Sequence, residues 1–154
     1  MVQVTGTLSN GKPIIDVSIS RALSYDQSLI PLYSKPVLPL RPYRALIDTG
    51  ADITCICDQV VKDVGLKAHA MTSMTGANGR SPHRVFMVNV SIWCSTVSDF
   101  EGQNLESRSL YQIEAVEAAE IRNNSWFDLI IGTDILSKFS FSLKKGGDFI
   151  LDFS

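Results

Sequence analysis

Apolar and polar residues alternate along much of this chain with a period of two, the spacing that turns one face of a strand to a core and the other to water. Residues 2–8 and 12–20 both alternate in this way, and Asn10-Gly11 between them is a tight-turn signal, so the pair predicts an opening hairpin. Tyr43–Ile47 is a short apolar run that stops at Asp48-Thr49-Gly50-Ala51-Asp52, and residues 53–57 resume a strand-like pattern. Phe86, Val88, Val90 and Ile92 alternate within residues 84–93, which pair with residues 68–75 in a second predicted hairpin whose tip is Gly76-Ala77-Asn78-Gly79. Residues 127–131 read as a buried strand running into Gly132. A third hairpin is predicted where residues 139–143 and 149–153 flank a Lys-Lys-Gly-Gly turn.

Other stretches break that period. Residues 59–64 suit a helical turn before Gly65, and residues 134–139 a short helix with Asp134 near its positive N-terminus. Residues 95–109 are polar and predict a surface loop. Residues 110–121 read two ways: Tyr-Gln-Ile-Glu-Ala-Val alternates like a strand, while the following residues are good helix formers, and only the first half is taken as strand. Pro31, Pro36, Pro39 and Pro42 crowd residues 21–42, where missing backbone donors and fixed φ favour an extended arm over sheet interior. The sum is an all-β fold with one or two short helices. With 154 residues a single domain, 1–154, is expected, its first 42 residues forming the hairpin and the arm.

Composition narrows the function classes. Hydrophobic residues make up 45% and charged residues 19%, which is globular rather than disordered. A net charge of -2 gives no reason to expect a nucleic-acid partner or an anionic membrane. The odd set Cys55, Cys57 and Cys94 argues against a disulfide framework and for a reducing compartment. The opening residues lack a basic segment followed by an apolar one, and the apolar stretch 127–136 is broken by Asp128, Gly132 and Asp134, too short to span a bilayer. A cytoplasmic protein is expected, with the sequons at Asn89 and Asn123 unused. Cys55, Cys57, His69, His83 and Cys94 lack structural-zinc spacing, and residues 48–59 fail as a calcium loop, with Ile53 and Gln59 where glycine and glutamate belong. No metal and no cofactor are expected.

Chemistry concentrates at Leu46-Ile47-Asp48-Thr49-Gly50-Ala51-Asp52. An apolar strand delivers a carboxylate to the point where it ends, and the glycine after Thr49 lets the backbone turn tightly or be closely approached. By itself this could be an Asx turn at any strand end. In context, Ala45-Leu46-Ile47-Asp48-Thr49-Gly50-Ala51-Asp52 resembles the active-site motif of the retropepsins, the single-lobed aspartic proteases. A glycine-bearing hairpin at residues 74–80 follows, resembling the flap of that family, and then Asp128-Leu129-Ile130-Ile131-Gly132 resembles its hydrophobic-plus-glycine strand. The resemblance spans roughly residues 43–153, which it makes the protease core.

That resemblance implies a single-lobe fold and a mechanism. Two Asp48 carboxylates would share one proton, activate a water between them and hydrolyse a peptide bond in a polypeptide substrate. One Asp-Thr-Gly is present, and Gly132-Thr133-Asp134 is not a second, so the resemblance implies a two-fold symmetric homodimer rather than a two-lobed enzyme. Thr49 would bond across the dimer interface, Gly50 would offer its carbonyl to substrate, and Asp52 would sit at the cleft edge. Gly76 and Ala77 would close over substrate from the flap, with Ala51, Ala77 and Ile130 lining side-chain pockets. Viral members usually carry arginine after the strand's glycine, paired with the second aspartate of the motif. Here that position is Thr133, so Asp52 lacks this partner, and Thr133-Asp134 looks more like cellular and bacterial relatives. The rival reading is a catalytically silent dimer of the same fold serving as a peptide-binding or adaptor module.

Overall fold

The computed structural model describes residues 2–22, 41–76, 79–122 and 126–153, so residues 23–40 of the expected proline-rich arm, Ala77 and Asn78 of the expected hairpin tip, and Asn123 lie outside the described residues. Ten strands and two short helices follow in the order β1 (Val2–Thr7), β2 (Ile14–Arg21), β3 (Tyr43–Ile47), β4 (Cys55–Cys57), α1 (Asp58–Val64), β5 (Ala70–Gly76), β6 (Gly79–Phe100), β7 (Gln103–Ile121), β8 (Leu129–Ile131), α2 (Thr133–Leu136), β9 (Ser140–Leu143) and β10 (Asp148–Asp152). The all-β reading holds.

The strands pair in the order β2-β3-β8-β4-β7-β6-β1-β10-β9, and β2 also pairs with β6, which closes the ring β2-β3-β8-β4-β7-β6 into a barrel. Closure removes the free edges that an open sheet would expose. One side of β6 is shared in turn by β5, β2 and β1, while β7 runs along its other side. The predicted alternation on β6 places Phe86, Val88, Val90 and Ile92 in the core, each 0% exposed, against Val17, Ile56, Leu129 and Ile131.

Three expectations give way. Asn10 and Gly11 do make the turn, at φ 51 and 75, and Ser9 and Lys12 exchange backbone hydrogen bonds of 2.8 and 3.0 Å. The opening hairpin stops there: at the next pair Leu8 N–H donates outward to the Gly147 carbonyl at 2.8 Å, and the Pro13 carbonyl accepts from Ile47 N–H at 2.9 Å. β1 then leaves for β10 and β6, and β2 for β3 and β6. Residues 95–109 are not a loop: β6 and β7 stay paired as far as Phe100↔Gln103, turning through Glu101 and Gly102 at φ 51 and 77.

Nor does the second half of residues 110–121 turn helical. β7 remains a strand to Ile121, with a bulge opposite Val88 and Val90 where Ala115 takes φ 56. Asn89 stabilises that bulge, its side-chain oxygen accepting from Ala115 N–H at 3.0 Å while its amide donates to the Arg21 carbonyl at 3.3 Å. Ala118 and Ala119 are buried, and Ala119 sits directly opposite Cys55 in the parallel β4–β7 pair. Tertiary packing overrides helix propensity here.

Candidate active site

β3 and β8 lie side by side and parallel, Ile47 opposite Ile131, so their ends deliver Asp48 and Gly132 to the same rim of the barrel. At the opposite ends Asp128 ties the strands together: Arg44 N–H donates to its carboxylate at 2.9 Å, and its backbone N–H donates to the Arg44 carbonyl at 2.8 Å. Asp48 N–H donates to the Ile131 carbonyl at 3.0 Å, carrying the ladder one step past β3. The chain then turns, with Ala51 N–H donating back to the Asp48 carbonyl at 3.2 Å.

The Asp48 carboxylate is half-buried, and one of its oxygens accepts from Gly50 N–H at 2.9 Å. Glycine suits that contact, since a Cβ at position 50 would lie 3.3 Å from the same oxygen. Among the described residues nothing hydrogen-bonds to the other oxygen, so a carboxylate is presented at an open rim with one oxygen held and one available. Thr49 and Gly50 are exposed, Ala51 is half-buried and Asp52 is exposed. Among the described residues Asp52 has no ion-pair partner, in keeping with Thr133 standing where an arginine would.

Gly132 makes the crossing possible. A Cβ there would lie 2.7 Å from the Ile53 carbonyl carbon and oxygen and 2.8 Å from the Ala51 carbonyl oxygen, all backbone that cannot give way. Directly after it, Thr133 N–H donates to the Ala51 carbonyl at 2.8 Å. Ile130 is half-buried in β8, opposite Leu46 and Cys55. Thus Asp48, Thr49, Gly50, Ala51 and Asp52 form one loop packed on the end of β8, with Ile130 in the adjoining strand.

Gly76 lies elsewhere, at the exposed outer end of the β5–β6 hairpin opposite Gly79. The hairpin's base is anchored on β7: one His83 ring nitrogen lies 2.6 Å from the Glu120 carbonyl, and the other 2.7 Å from the Ser81 hydroxyl. Arg84 grips the Glu120 carboxylate through two bonds of 3.2 and 2.6 Å. His83 is therefore half-buried and engaged through both ring nitrogens.

One supporting residue, Thr54, escaped the sequence reading. It is 0% exposed and bonds beneath the loop to Asp134, which the sequence singled out only as a helix-start residue and part of Thr133-Asp134. The signal was a lone hydroxyl in Ile53-Thr54-Cys55-Ile56, a polar group that a buried run must satisfy. The three cysteines are buried and outside any disulfide among the described residues, as small thiols of a core. Burial, followed by the charges of Asp134, Asp48 and Cys57, pushes the Cys55 thiol from its ordinary 9.0 up to about 11. It is thus held neutral. No helix among the described residues is long and apolar enough to cross a membrane.

Comparison with known proteins agrees with this geometry. A family profile described as aspartyl protease matches residues 40–135. No curated protein matches the chain. Among solved structures, a retropepsin-like aspartic protease from Rickettsia conorii superposes with a TM-score of 0.59 at 14% identity, covering 99% of this chain and 92% of that one. This likeness shows the fold. The simian foamy virus protease, at TM-score 0.43 and 11% identity over 81% of this chain and 92% of that one, and the retroviral protease-like domain of Ddi1 from Leishmania major, at 0.37 and 13% over 86% and 82%, are too remote to add to it.

Proposed function

We propose, from the premise that this chain belongs to the aspartyl protease family, that it is an endopeptidase whose catalytic group is Asp48, acting in a homodimer. The observation that carries this reading is the Asp48 carboxylate, held at the barrel rim by Gly50 N–H on one oxygen and open on the other. A single Asp-Thr-Gly is present, so the second acid would come from another copy across a two-fold axis.

In that dimer the two carboxylates, too close to ionise together, hold one proton between them. The ionised partner takes a proton from the bridging water, which attacks the scissile carbonyl. Its protonated neighbour donates to the carbonyl oxygen, and the departing amine is protonated as the tetrahedral intermediate collapses. Thr49, exposed beside Asp48, bonds across the interface, and the Gly50 carbonyl receives substrate backbone. Ala51, Asp52 and Ile130 line the cleft. The β5–β6 hairpin, with Gly76 and Ala77 at its tip, serves as a flap that pairs with an extended peptide and excludes water.

The test is a proteome-derived peptide library incubated with wild type and Asp48→Asn, alongside sedimentation velocity on both. Specific scissions by wild type alone, from a dimer that the variant also forms, support the reading. Equal cleavage by both proteins removes Asp48 from the chemistry. An active monomer removes the dimer.

A further inference from the structure

We propose that Asp134 is a positioning residue of this site, its carboxylate clamping Thr54 and thereby fixing the loop that carries Asp48. The catalytic consequence rests on the peptidase reading above; the clamp itself does not.

The loop from Asp48 to Thr54 is held at three places. Its start and middle are held by backbone, through Asp48 N–H on the Ile131 carbonyl and Thr133 N–H on the Ala51 carbonyl. Its end is held by side chains. Thr54 N–H donates to one Asp134 oxygen at 3.0 Å, and the Thr54 hydroxyl donates to the other at 2.8 Å. The same hydroxyl oxygen accepts from Gly132 N–H at 3.3 Å, so Thr54 bridges α2 and the glycine that lets the two segments cross. Ile135 N–H donates to Asp134 at 2.9 Å and orients the carboxylate.

These contacts differ in kind from the backbone ones. A carboxylate that accepts from a backbone amide and a hydroxyl makes charge-assisted bonds, stronger than neutral pairs. Thr54 is 0% exposed, so water cannot replace a lost acceptor, and both its donors would be left unpaired in the interior. On its far side Thr54 is tied to β7, its carbonyl accepting from Ala119 N–H at 3.1 Å. Displacement at Thr54 would therefore pass to Asp48 along the short loop tied at Ala51. Asp134 acts through Thr54 and touches no reacting atom.

The experiment compares Asp134→Ala, Asp134→Asn, Thr54→Val and Thr54→Ser by amide hydrogen exchange and by steady-state cleavage, with sites counted by titration with a statine-type inhibitor. Asp134→Ala and Thr54→Val should lose about tenfold or more in protection at the Thr54 amide. Their kcat per titrated site should fall about ten- to a hundredfold with KM within about twofold, the signature of misplacement rather than lost binding. Thr54→Ser, which keeps the hydroxyl, should retain both. Asp134→Asn keeps the shape but replaces one acceptor oxygen by an amide donor, which must face either Thr54 N–H or Ile135 N–H, so it should lose protection and kcat even where the alanine variant fails to fold. Unchanged protection, or unchanged kcat per site, in the folded Asp134 variants overturns the proposal, as does a serine variant as damaged as the valine one. If wild type cleaves nothing, the peptidase reading falls, and amide protection alone decides the clamp.

Discussion

The two structures that bear the sequence-predicted site residues are held in opposite ways. The Asp48 loop is tied to β8 and α2 at its start, middle and end, through buried Thr54 and through a glycine with no room for a methyl group. The β5–β6 hairpin pairs along one side only, its β5 residues are mostly exposed, and its anchoring lies at the base, where His83 and Arg84 meet Glu120. Chemistry needs a carboxylate fixed to within fractions of an ångström, whereas admitting an extended chain needs an element that can open. The ring fixes the loop and leaves the hairpin outside it, which is what the proposed peptidase reading asks of one barrel.

Substitutions can break or sharpen that contrast. The largest effect is expected from Gly132→Ala, where a methyl group would press on the backbone of Ala51 and Ile53. A loss of about 1–3 kcal/mol, the usual cost of overpacking, should appear in chemical denaturation. A stability equal to wild type would mean that the crossing is looser than its distances indicate.

Next comes alkaline pH. Cys55 ionises near 9.0 when unfolded and at about 11 in the native protein, so the folded state keeps its proton longer. The contribution is fully present below pH 9 and is lost as pH rises from 9 toward 11. Thermal melts should show midpoints falling over that window, less steeply in Cys55→Ala. Identical slopes would remove the thiol as a contributor.

Smaller changes belong to the hairpin. Glu120→Gln should cost no more than about 1 kcal/mol in global stability, because Arg84 is half-exposed in this pair. It should nonetheless speed amide exchange in β5 while leaving the Asp48 loop untouched. Equal acceleration in both regions would erase the distinction drawn between them. Smallest of all, Met71→Ser, at a residue 62% exposed, should shift stability by about 0.5 kcal/mol or less in a thermal melt.

What was legible in the sequence follows the same division. Period-two burial in Phe86–Val88–Val90–Ile92 and the strand endings at Asp48 and Gly132 are local signals, and the all-β fold and the loop followed from them. Pairing partners are not local. Asn10-Gly11 makes its turn, but the flanking strands part at once, Leu8 N–H going to the Gly147 carbonyl and the Pro13 carbonyl to Ile47 N–H, partners far away along the chain. Residues 95–109 looked like a loop because a polar strand gives no burial pattern, although Glu101-Gly102 carried the turn. Helix formers such as Ala118 and Ala119 lie in a strand, both buried and Ala119 paired with Cys55 of β4, a neighbour that no local pattern announces. Thr54 and Asp134, 80 positions apart, meet through the antiparallel pairing of β4 with β8, which no window along the chain contains.

The antiparallel pairing of β2 with β3 has a consequence of its own. Val17 faces Tyr43 and Ile14 faces Leu46, so whatever connects the two strands departs and returns at neighbouring points on the barrel wall. Doubling the length of such a connection costs only about 0.6 kcal/mol in closure entropy. New sequence can therefore accumulate between β2 and β3, and acquire recognition of its own, without disturbing the strand that ends in Asp48.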